Sequence, residues 1–486
     1  MKHLLVGIAA ALIGLALSSG RSSAAALDRN QRPAPGPTPA VATPKIAKVA
    51  LKNGLPVWVV TRHELPIVDV LLQIRAGSAQ DEARPGISSM TASLLDEGTA
   101  KHSSLEFAEA VSFLGASLSA TSGIEQTSIS LLTLSKHLDE ALGLLGEMVV
   151  QPAFKAEEIE RERKSRLQGL KQQKDVATAT ADRVFNIVVN GVDHPYGHPA
   201  SGTLESVEAM SRDDLLAFYD RFYRPGNSMV VVVGDVTPEQ ILPKLEQALG
   251  AWVDKPVPAA AREIPGRPAP KPTAVYLVDK PNAAQSEIRI GQPGAPRSAS
   301  PDYYALQVMN TALGGQFTSR VNLNLRERHG YTYGARSAWS FRRGPGPFVA
   351  SGGVFTAKTD SSLIEFLREL KDIRGPRPLT EQEAEFTRNS LLRGYPRRFE
   401  TADAVAIMLA ELALYGLPDT EISNYLVQIA KVGPGDVTRV ANQYLAPENL
   451  AIVVVGDLAK IRPGIEALRL GPITVLDADG KPVVAQ

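Results

Sequence analysis

The sequence predicts an α+β protein of two homologous domains, each a mainly antiparallel sheet with helices packed on one face. Three observations lead to this fold class. The chain has 486 residues, which is more than one ordinary hydrophobic core accommodates. Its two halves share a repeated segment, and short strand patterns in the first half are interspersed with amphipathic helix patterns.

The repeated segment lies near the end of each half. Residues 225–235 read PGNSMVVVVGD and residues 447–457 read PENLAIVVVGD, so proline, asparagine, glycine and aspartate recur at an offset of 222 residues. Each copy predicts a turn, then a buried strand that stops at Gly-Asp, and each follows a predicted helix. So long a period indicates a duplicated domain rather than a solenoid of short repeats.

Local patterns predict the elements of the first half. Strands are expected where apolar and β-branched residues cluster or alternate, and helices where apolar residues recur at helical spacing. Ser103 and Glu106 form a capping box, which marks a helix start. The predicted strands span 55–60, 68–75 and 124–134, and a further helix is predicted from 138 to 148.

Two proline-rich stretches divide the chain. Residues 27–45 predict a stiff, disordered linker, and residues 256–272 predict a second linker between the halves. The domains bounded by these stretches are predicted at 46–255 and 273–476.

The N-terminus predicts an exported protein. Lys2 and His3 precede an apolar run from Leu4 to Leu17, and small residues follow up to Ala26. This arrangement is typical of a cleaved signal peptide, here residues 1–26. An uncleaved anchor is the alternative, although the run is short for a membrane span. We therefore expect the periplasm, with secretion as the alternative, and no stable membrane insertion.

Composition excludes several classes of function. Acidic and basic residues balance at 52 each, which leaves no electrostatic footprint for nucleic acid. The chain has no cysteine, so disulfides, thiolate metal sites and a cysteine nucleophile are excluded. It also lacks the G-x-S-x-G elbow of serine hydrolases and the phosphate-binding P-loop.

The stretch PGISSMTASLLDEGT at 85–99 resembles the active-site helix of the M16 (pitrilysin/insulinase) metallopeptidase family. That family normally shows G-[LI]-A-H-x-x-E-H-[ML]-x-x-x-G-T, in which two histidines bind zinc and the glutamate activates the metal-bound water. The flanking glycines and the threonine match, but the side chains that carry the chemistry do not.

The resemblance identifies the positions of a degenerate zinc site. Ser89 and Ser93 stand where the family has histidines, and Ala92 stands where it has the glutamate. The family's third ligand, a glutamate about 76 residues after the second histidine, falls on Gly169. Because serine is a poor zinc ligand beside histidine or carboxylate, we expect no metal, no cofactor and no catalytic residue in this chain.

A second candidate metal pair is His194 and His198. Pro195 and Gly197 lie between them, which argues against pairing on a helix. A similar H-P-Y-G segment occurs in the M16 family outside the metal site. We therefore expect a loop-packing role.

The segment LGGQFTSRVNLNLRERHGYTY at 313–333 resembles the signature of the M16 C-terminal domain. In that family an arginine and a tyrosine seven residues later reach towards the substrate, and these positions are Arg326 and Tyr333. An arginine fork can bind a peptide carbonyl or carboxylate, and a tyrosine hydroxyl can bind an oxyanion. Gly314 and Gly315 are expected to end the preceding helix.

The resemblance covers nearly all of the predicted mature chain and implies two M16-type (LuxS/MPP-like) sandwich domains. The chain resembles the zinc-less subunit of heterodimeric bacterial M16 peptidases, which carries the arginine and tyrosine pair. The implied function is a non-catalytic substrate-binding or regulatory subunit for a partner that carries H-x-x-E-H and the zinc, acting on a peptide or unfolded protein. The alternatives are a structural scaffold, like the zinc-less relatives in the cytochrome bc1 complex, and a stand-alone peptide-binding protein.

Overall fold

Two six-stranded sheets, one from each half of the chain, form the framework of the protein. The computed structural model describes residues 36, 42–258, 263–266 and 268–483. The predicted signal peptide and nearly all of the predicted N-terminal linker lie outside these ranges.

The strands of the first sheet are β1 to β6 and those of the second are β7 to β12. Their bounds are β1 (Ala47–Ala50), β2 (Pro56–Thr61), β3 (Ile67–Ile74), β4 (Ser117–Ser122), β5 (Thr127–Leu134), β6 (Ser228–Gly234), β7 (Ala274–Asp279), β8 (Gln285–Pro293), β9 (Thr332–Trp339), β10 (Pro347–Phe355), β11 (Ala451–Gly456) and β12 (Ile473–Leu476).

Helices connect and cover the strands. They are α1 (Ile87–Ser93), α2 (Ser104–Phe113), α3 (Leu138–Val150), α4 (Ala156–Lys174), α5 (Ala177–Asn190), α6 (Leu204–Ala209), α7 (Arg212–Phe222), α8 (Pro238–Leu249), α9 (Asp302–Asn310), α10 (Thr359–Asp372), α11 (Glu381–Gly394), α12 (Ala402–Leu414), α13 (Glu421–Lys431), α14 (Pro434–Tyr444) and α15 (Leu458–Ala467). A helical turn at Arg320–Asn322 lies between two π-helical turns, Thr311–Gly315 and Leu323–Arg328.

The predicted duplication is confirmed by the strand order. The first sheet runs β1-β2-β6-β3-β5-β4 and the second runs β12-β7-β11-β8-β10-β9. The repeated segments form β6 and β11, which occupy the same interior position and pair in parallel with β2 and β7. The two sheets differ in the direction of the outer strand next to β2 and β7. Strand β1 pairs antiparallel with β2, whereas β12 pairs parallel with β7.

Local patterns fold largely as predicted. Ser103 caps α2, because its side chain accepts from the backbone N–H of Glu106 and the Glu106 carboxylate accepts from the N–H of Ser103. The strand predicted from 124 begins at Thr127, since Gly123 and Gln126 close a turn with a backbone hydrogen bond of 2.7 Å. The helix predicted to end before Gly314 instead continues through a π-helical turn to Gly315.

One face of each sheet packs against helices of its own half, as predicted. The core of the first half centres on β3, β6 and α3, where Leu72, Val232 and Leu145 are fully buried. The matching core of the second half contains Ile288 and Val454.

The other face of each sheet is covered by a helix from the opposite half. Helix α12 packs against β3 and β6 of the first sheet, where Leu409 belongs to one buried hydrophobic cluster with Leu71 and Val231. Helix α5 packs against β8 and β11 of the second sheet, where Phe185 meets the cluster of Val453. This exchange was not predicted from the sequence, and it makes the apolar outer strand faces part of an interface between the halves.

No helix within the described ranges is long and apolar enough to cross a membrane.

Candidate functional site

Helix α1 carries the positions of the family's metal motif, and its start is fixed by a buried carboxylate. Asp81 accepts hydrogen bonds from the backbone N–H of Gly86 at 2.6 Å and of Ser88 at 3.0 Å. Burial raises the pKa of Asp81 to about 7. Gly86 has a φ of 92°, and a Cβ there would lie 2.7 Å from the Cα of Gly202, so this close approach requires glycine.

Ser89 and Ser93 lie on one face of α1, and a guanidinium from α4 binds both. Arg166 donates hydrogen bonds to the Oγ of Ser89 and, at 3.0 Å, to the Oγ of Ser93. Its charge is balanced by Glu162 on the same helix, at 2.9 Å. Ser93 also donates to Glu162 Oε1 at 3.1 Å. A protein cation therefore lies between the two serines.

The remaining two positions of the degenerate site differ in their placement. Gly169 lines a cleft of about 420 Å³ together with Ser89, Glu162 and Arg166. A Cβ at Gly169 would meet nothing within 4 Å, so the cleft is open at this point. Ala92 is 1% exposed and does not line the cleft. The structure thus brings Ser89, Ser93 and Gly169 together around Arg166 but leaves Ala92 in the core.

Zinc does not fit this donor set. Two hydroxyls and one carboxylate surround the position, and the carboxylate is already bound by Arg166. Across the described ranges, no group of three or more His, Cys, Asp or Glu side chains is arranged to hold a metal ion.

Sequence reasoning missed Arg166 and Glu162. A signal for them was present, because Glu162, Arg166 and Gly169 are spaced by four and three residues on α4 and so share one helix face. Once Gly169 is assigned to the third-ligand position, the same face predicts that residues 162 and 166 also point at α1.

The segment of His194 and His198 packs the two halves together. Tyr196 donates through its hydroxyl to the buried carboxylate of Glu125, and the N–H of Gly344 from the second half donates to that hydroxyl at 3.0 Å. His194 Nδ1 accepts from the N–H of Tyr196 at 3.0 Å, and burial lowers the pKa of both histidines. These contacts serve the loop and the junction between the halves.

Arg326 and Tyr333 line a second, larger cleft of about 600 Å³. It is lined by residues 287 and 289 of β8, 333–337 of β9 and 351–353 of β10, and by the segment from Gly314 to Phe317. The N-terminal end of α5, from the first half, contributes Thr178 to the lining. The residues of both halves therefore shape this cleft.

Both side chains are accessible in the cleft. Tyr333 is 77% exposed and its ring contacts that of Phe355 edge-to-face, with 5.8 Å between the centroids. The guanidinium of Arg326 lies 4.6 Å from the ring centroid of Phe317, and its Nε lies 3.4 Å from Glu327. The ring of Phe317 orients the guanidinium of Arg326. In the described part of the chain, the Nη1 and Nη2 atoms of Arg326 form no ion pair with an acidic side chain.

The outer edge of β9 is closed by the chain itself. Asn322 accepts a hydrogen bond from the N–H of Ala335 at 3.1 Å, and Gly314 packs so closely that a Cβ would lie 2.2 Å from the nitrogen of Ser337. A ligand of this cleft therefore meets the side chains of the sheet face rather than the edge of the strand.

These features define the class of the protein as a duplicated α+β sandwich in which an arginine of α4 binds both serines of α1. Family models match both halves. The model described as insulinase (peptidase family M16) matches residues 57–190, and the model described as peptidase M16 inactive domain matches residues 209–391. The chain belongs to the M16 peptidase family.

Relatives and solved structures agree with this placement over most of the chain. An uncharacterized zinc protease of Mycobacterium leprae is 26% identical over 409 residues, covering 82% of this chain and 89% of the relative. A protein of Helicobacter pylori named a non-peptidase homolog is 24% identical, covering 84% of this chain and 93% of its own. The crystal structure of a peptidase M16 inactive domain from Pseudomonas fluorescens superposes with a TM-score of 0.79 at 25% identity, covering 85% and 98%.

Proposed function

We propose that this chain is the non-catalytic, substrate-binding subunit of an exported M16-type zinc peptidase and completes the peptide chamber of a zinc-bearing M16 partner. One observation carries the proposal: a single chain combines a filled metal position at Arg166 with an open cleft at Arg326 and Tyr333. The first feature argues against hydrolysis by this chain, and the second is the geometry expected of a subunit that holds substrate.

The filled metal position supports a division of labour between two subunits. A metal ion placed where the guanidinium of Arg166 lies would be repelled by that fixed positive charge. The family's general base is replaced here by the buried methyl group of Ala92. Restoring hydrolysis would need several simultaneous changes in this half. The metal is therefore assigned to the partner, and no metal or cofactor to this chain.

The surroundings of both clefts support peptide as the ligand. Strand β4 is an outer strand of the first sheet beside α1, and Ser122 at its end lines the Arg166 cleft. Outer strands accept extended peptides through backbone hydrogen bonds. In the second cleft the fork of Arg326 suits a peptide carbonyl, and the Tyr333 hydroxyl suits the oxyanion formed during attack by the partner's zinc-bound water.

The N-terminal sequence supports export to the periplasm by a cleaved signal peptide at 1–26. The absence of cysteine from the whole sequence is compatible with an oxidising compartment, because a chain of this length has a core that needs no disulfides.

The test is reconstitution with an H-x-x-E-H homologue from the same genome. The mature chain and the homologue are purified separately and mixed, and cleavage of a quenched fluorescent peptide is followed. We expect no cleavage by this chain alone and cleavage by the mixture. Tyr333→Phe, which removes only the hydroxyl, is expected to lower kcat of the mixture roughly 10²-fold.

Arg326→Ala is expected to raise KM and lower kcat/KM of the mixture at least about tenfold, because it removes a charge-assisted hydrogen bond. Arg328→Ala is the matched control, since Arg328 lies on the same segment, is exposed and does not line the cleft. A complex that assembles by gel filtration but keeps full activity in both Tyr333→Phe and Arg326→Ala would contradict the proposal and favour a scaffold.

A further inference from the structure

The floor of the Arg326–Tyr333 cleft carries a second arginine that the proposed function leaves unused. We infer that Arg336 is a specificity-determining residue, which binds an acidic side chain of the peptide held at Arg326 and Tyr333. The inference rests on the proposed function, and it assigns the substrate class as extended peptide segments that carry an aspartate or glutamate.

The register of the second sheet places Arg336 in a row of side chains on the cleft face. Arg336 of β9 is opposite Ser351 of β10, and Ser351 is opposite Arg289 of β8. All three line the cleft. Side chains opposite one another on adjacent strands share a face, so this row presents two guanidinium groups on either side of a hydroxyl.

A β-bulge brings Tyr333 to the same face as Arg336. Side chains three residues apart in a regular strand point to opposite faces. Here Tyr333 and Gly334 together stand opposite Gly353, because the pairing of β9 with β10 shifts between Gly352 and Val354. Thr332 stabilises the extra residue by accepting a hydrogen bond from the N–H of Gly334 at 3.0 Å. Bulges re-aim side chains in this way beside functional sites.

Consequently Thr332 is buried and Tyr333 is exposed, the reverse of what the alternation from Arg336 predicts for a regular strand. Because Tyr333 and Gly334 share Gly353 as their partner and Arg336 pairs with Ser351, Tyr333 and Arg336 are separated by about two steps of strand rise, roughly 7 Å. An extended peptide that contacts Tyr333 therefore places a side chain near Arg336 within a few residues, because peptide and strand have the same rise.

The charges of the cleft leave Arg336 available. Arg289 is only 4% exposed and is neutralised by Asp182 on α5 at 2.6 Å and by Glu287 at 3.0 Å. The Nε of Arg326 lies 3.4 Å from the exposed carboxylate of Glu327. Within the described ranges, Arg336 forms no ion pair, although it is exposed and lines the same cleft as Arg289 and Arg326.

This arrangement selects for negative charge. Glu287 is the one acidic side chain that lines the cleft in the described part of the chain, and its carboxylate is bound to Arg289. An acidic peptide side chain gains a charge-assisted hydrogen bond from Arg336, and Ser351 supplies a neighbouring hydroxyl. A basic side chain at the same place faces Arg336 and Arg326 and is disfavoured.

The experiment is a peptide scan with the mature chain. The parent is a labelled, uncharged, extended peptide of about ten residues with blocked ends, long enough to follow one strand. Aspartate is placed at each position in turn, with a matched asparagine series, and binding is measured by fluorescence anisotropy. The same scan is repeated on the EDTA-treated complex with the zinc-bearing homologue.

We expect one position, or two positions separated by two residues, to favour aspartate over asparagine by about tenfold. Arg336→Gln is expected to abolish that preference, so that the aspartate and asparagine peptides bind this variant equally well. Arg328→Gln, the matched control outside the cleft, is expected to keep the preference. High salt is expected to reduce the preference without reducing binding of the parent.

The outcomes separate this inference from the function on which it rests. Binding of the parent peptide with no aspartate preference at any position, or a preference that persists in Arg336→Gln, overturns the role of Arg336 alone. Failure of every peptide to bind both the chain and the complex overturns the proposed function and the inference together.

Discussion

The guanidinium of Arg166 contacts three side chains on two helices: Ser89 and Ser93 on α1 and Glu162 on α4. The resemblance to the M16 motif places the family's zinc-ligand positions, 89, 93 and 169, on these same two helices. The arginine therefore supplies a positive charge between the two serines and a link between the two helices.

Replacing this residue is expected to destabilise the first half. Arg166→Ala leaves Glu162 and the two serines without their partner in a mostly buried place, which is expected to cost about 1–3 kcal/mol after allowance for partial exposure. Urea unfolding measures the change. Lys164→Ala, at an exposed position of the same helix, is the control and is expected to be near neutral. Equal stability of the two variants would contradict the linking role.

Asp69 is expected to make stability depend on pH. Burial, and secondarily the charge of Asp403 on α12, raise its pKa from 3.8 to about 7. The folded state thus favours the protonated form, and its contribution to stability is full below about pH 4 and is lost as the pH rises through about 7. Asp69→Asn is expected to raise the free energy of unfolding at pH 8 by roughly 1–3 kcal/mol and to change it little near pH 4.

Urea unfolding of this variant at the two pH values is the measurement, with Glu385→Gln at an exposed position as the control. A destabilised Asp69→Asn at pH 8 would show that the carboxylate form is the one the fold needs, and would refute the assignment.

At the scale of elements, the cleft of Arg326 depends on a π-helical turn pressed against an outer strand. The turn at Thr311–Gly315 packs Gly314 so closely against β9 that residue 314 has no space for a side chain. This contact, together with the hydrogen bond from Ala335 to Asn322, covers the edge of β9 and holds the wall of the cleft. The turn is therefore a structural requirement of the site.

Gly314→Ala is expected to force the turn and the strand apart, because the new Cβ would lie 2.2 Å from the nitrogen of Ser337. We expect a loss of about 1–3 kcal/mol in urea unfolding, together with weaker binding of the uncharged peptide. Gly334→Ala is the control for stability, since a Cβ there meets nothing within 4 Å. A Gly314→Ala protein as stable as this control would show that the turn is not tightly packed.

The exchange of helices is the main feature at the scale of the whole molecule. Helix α12 covers the first sheet and α5 covers the second, so each half completes the other. The buried contact of Tyr196 with Glu125 and Gly344 adds a polar link at the same junction. Separation of the halves would expose two apolar sheet faces, so the halves are expected to unfold together.

Leu409→Ala tests this cooperation. Leu409 is fully buried on α12 against the first sheet, and its truncation is expected to cost about 2–5 kcal/mol. Unfolding should remain a single transition at lower urea concentration, and cleavage by trypsin within 256–272 should become faster. Ile407→Ala, on the same helix but 51% exposed, is the control. Loss of stability in the second half alone would contradict the exchange.

Sequence patterns predicted those parts of the molecule that depend on local order. The repeated segments predicted β6 and β11, the capping box predicted the start of α2, and a family signature located Arg326 and Tyr333. The patterns did not predict the exchange of α5 and α12, because an amphipathic helix reveals an apolar face but not the sheet that covers it. The bulge at Tyr333 was missed for a similar reason, since it depends on the pairing of β9 with β10. Arg166 was missed although its helical spacing to Gly169 carried a signal, because the partner helix is distant in sequence.

We propose that this chain holds no catalytic metal and acts through a partner that does. The most direct test of this proposal is elemental analysis of zinc combined with a peptidase assay on the pure mature chain, before and after addition of the H-x-x-E-H homologue. We expect substoichiometric zinc and no cleavage by the chain alone, and zinc-dependent cleavage that appears with the partner and falls in Tyr333→Phe. Stoichiometric zinc and peptide hydrolysis in the chain alone would contradict it.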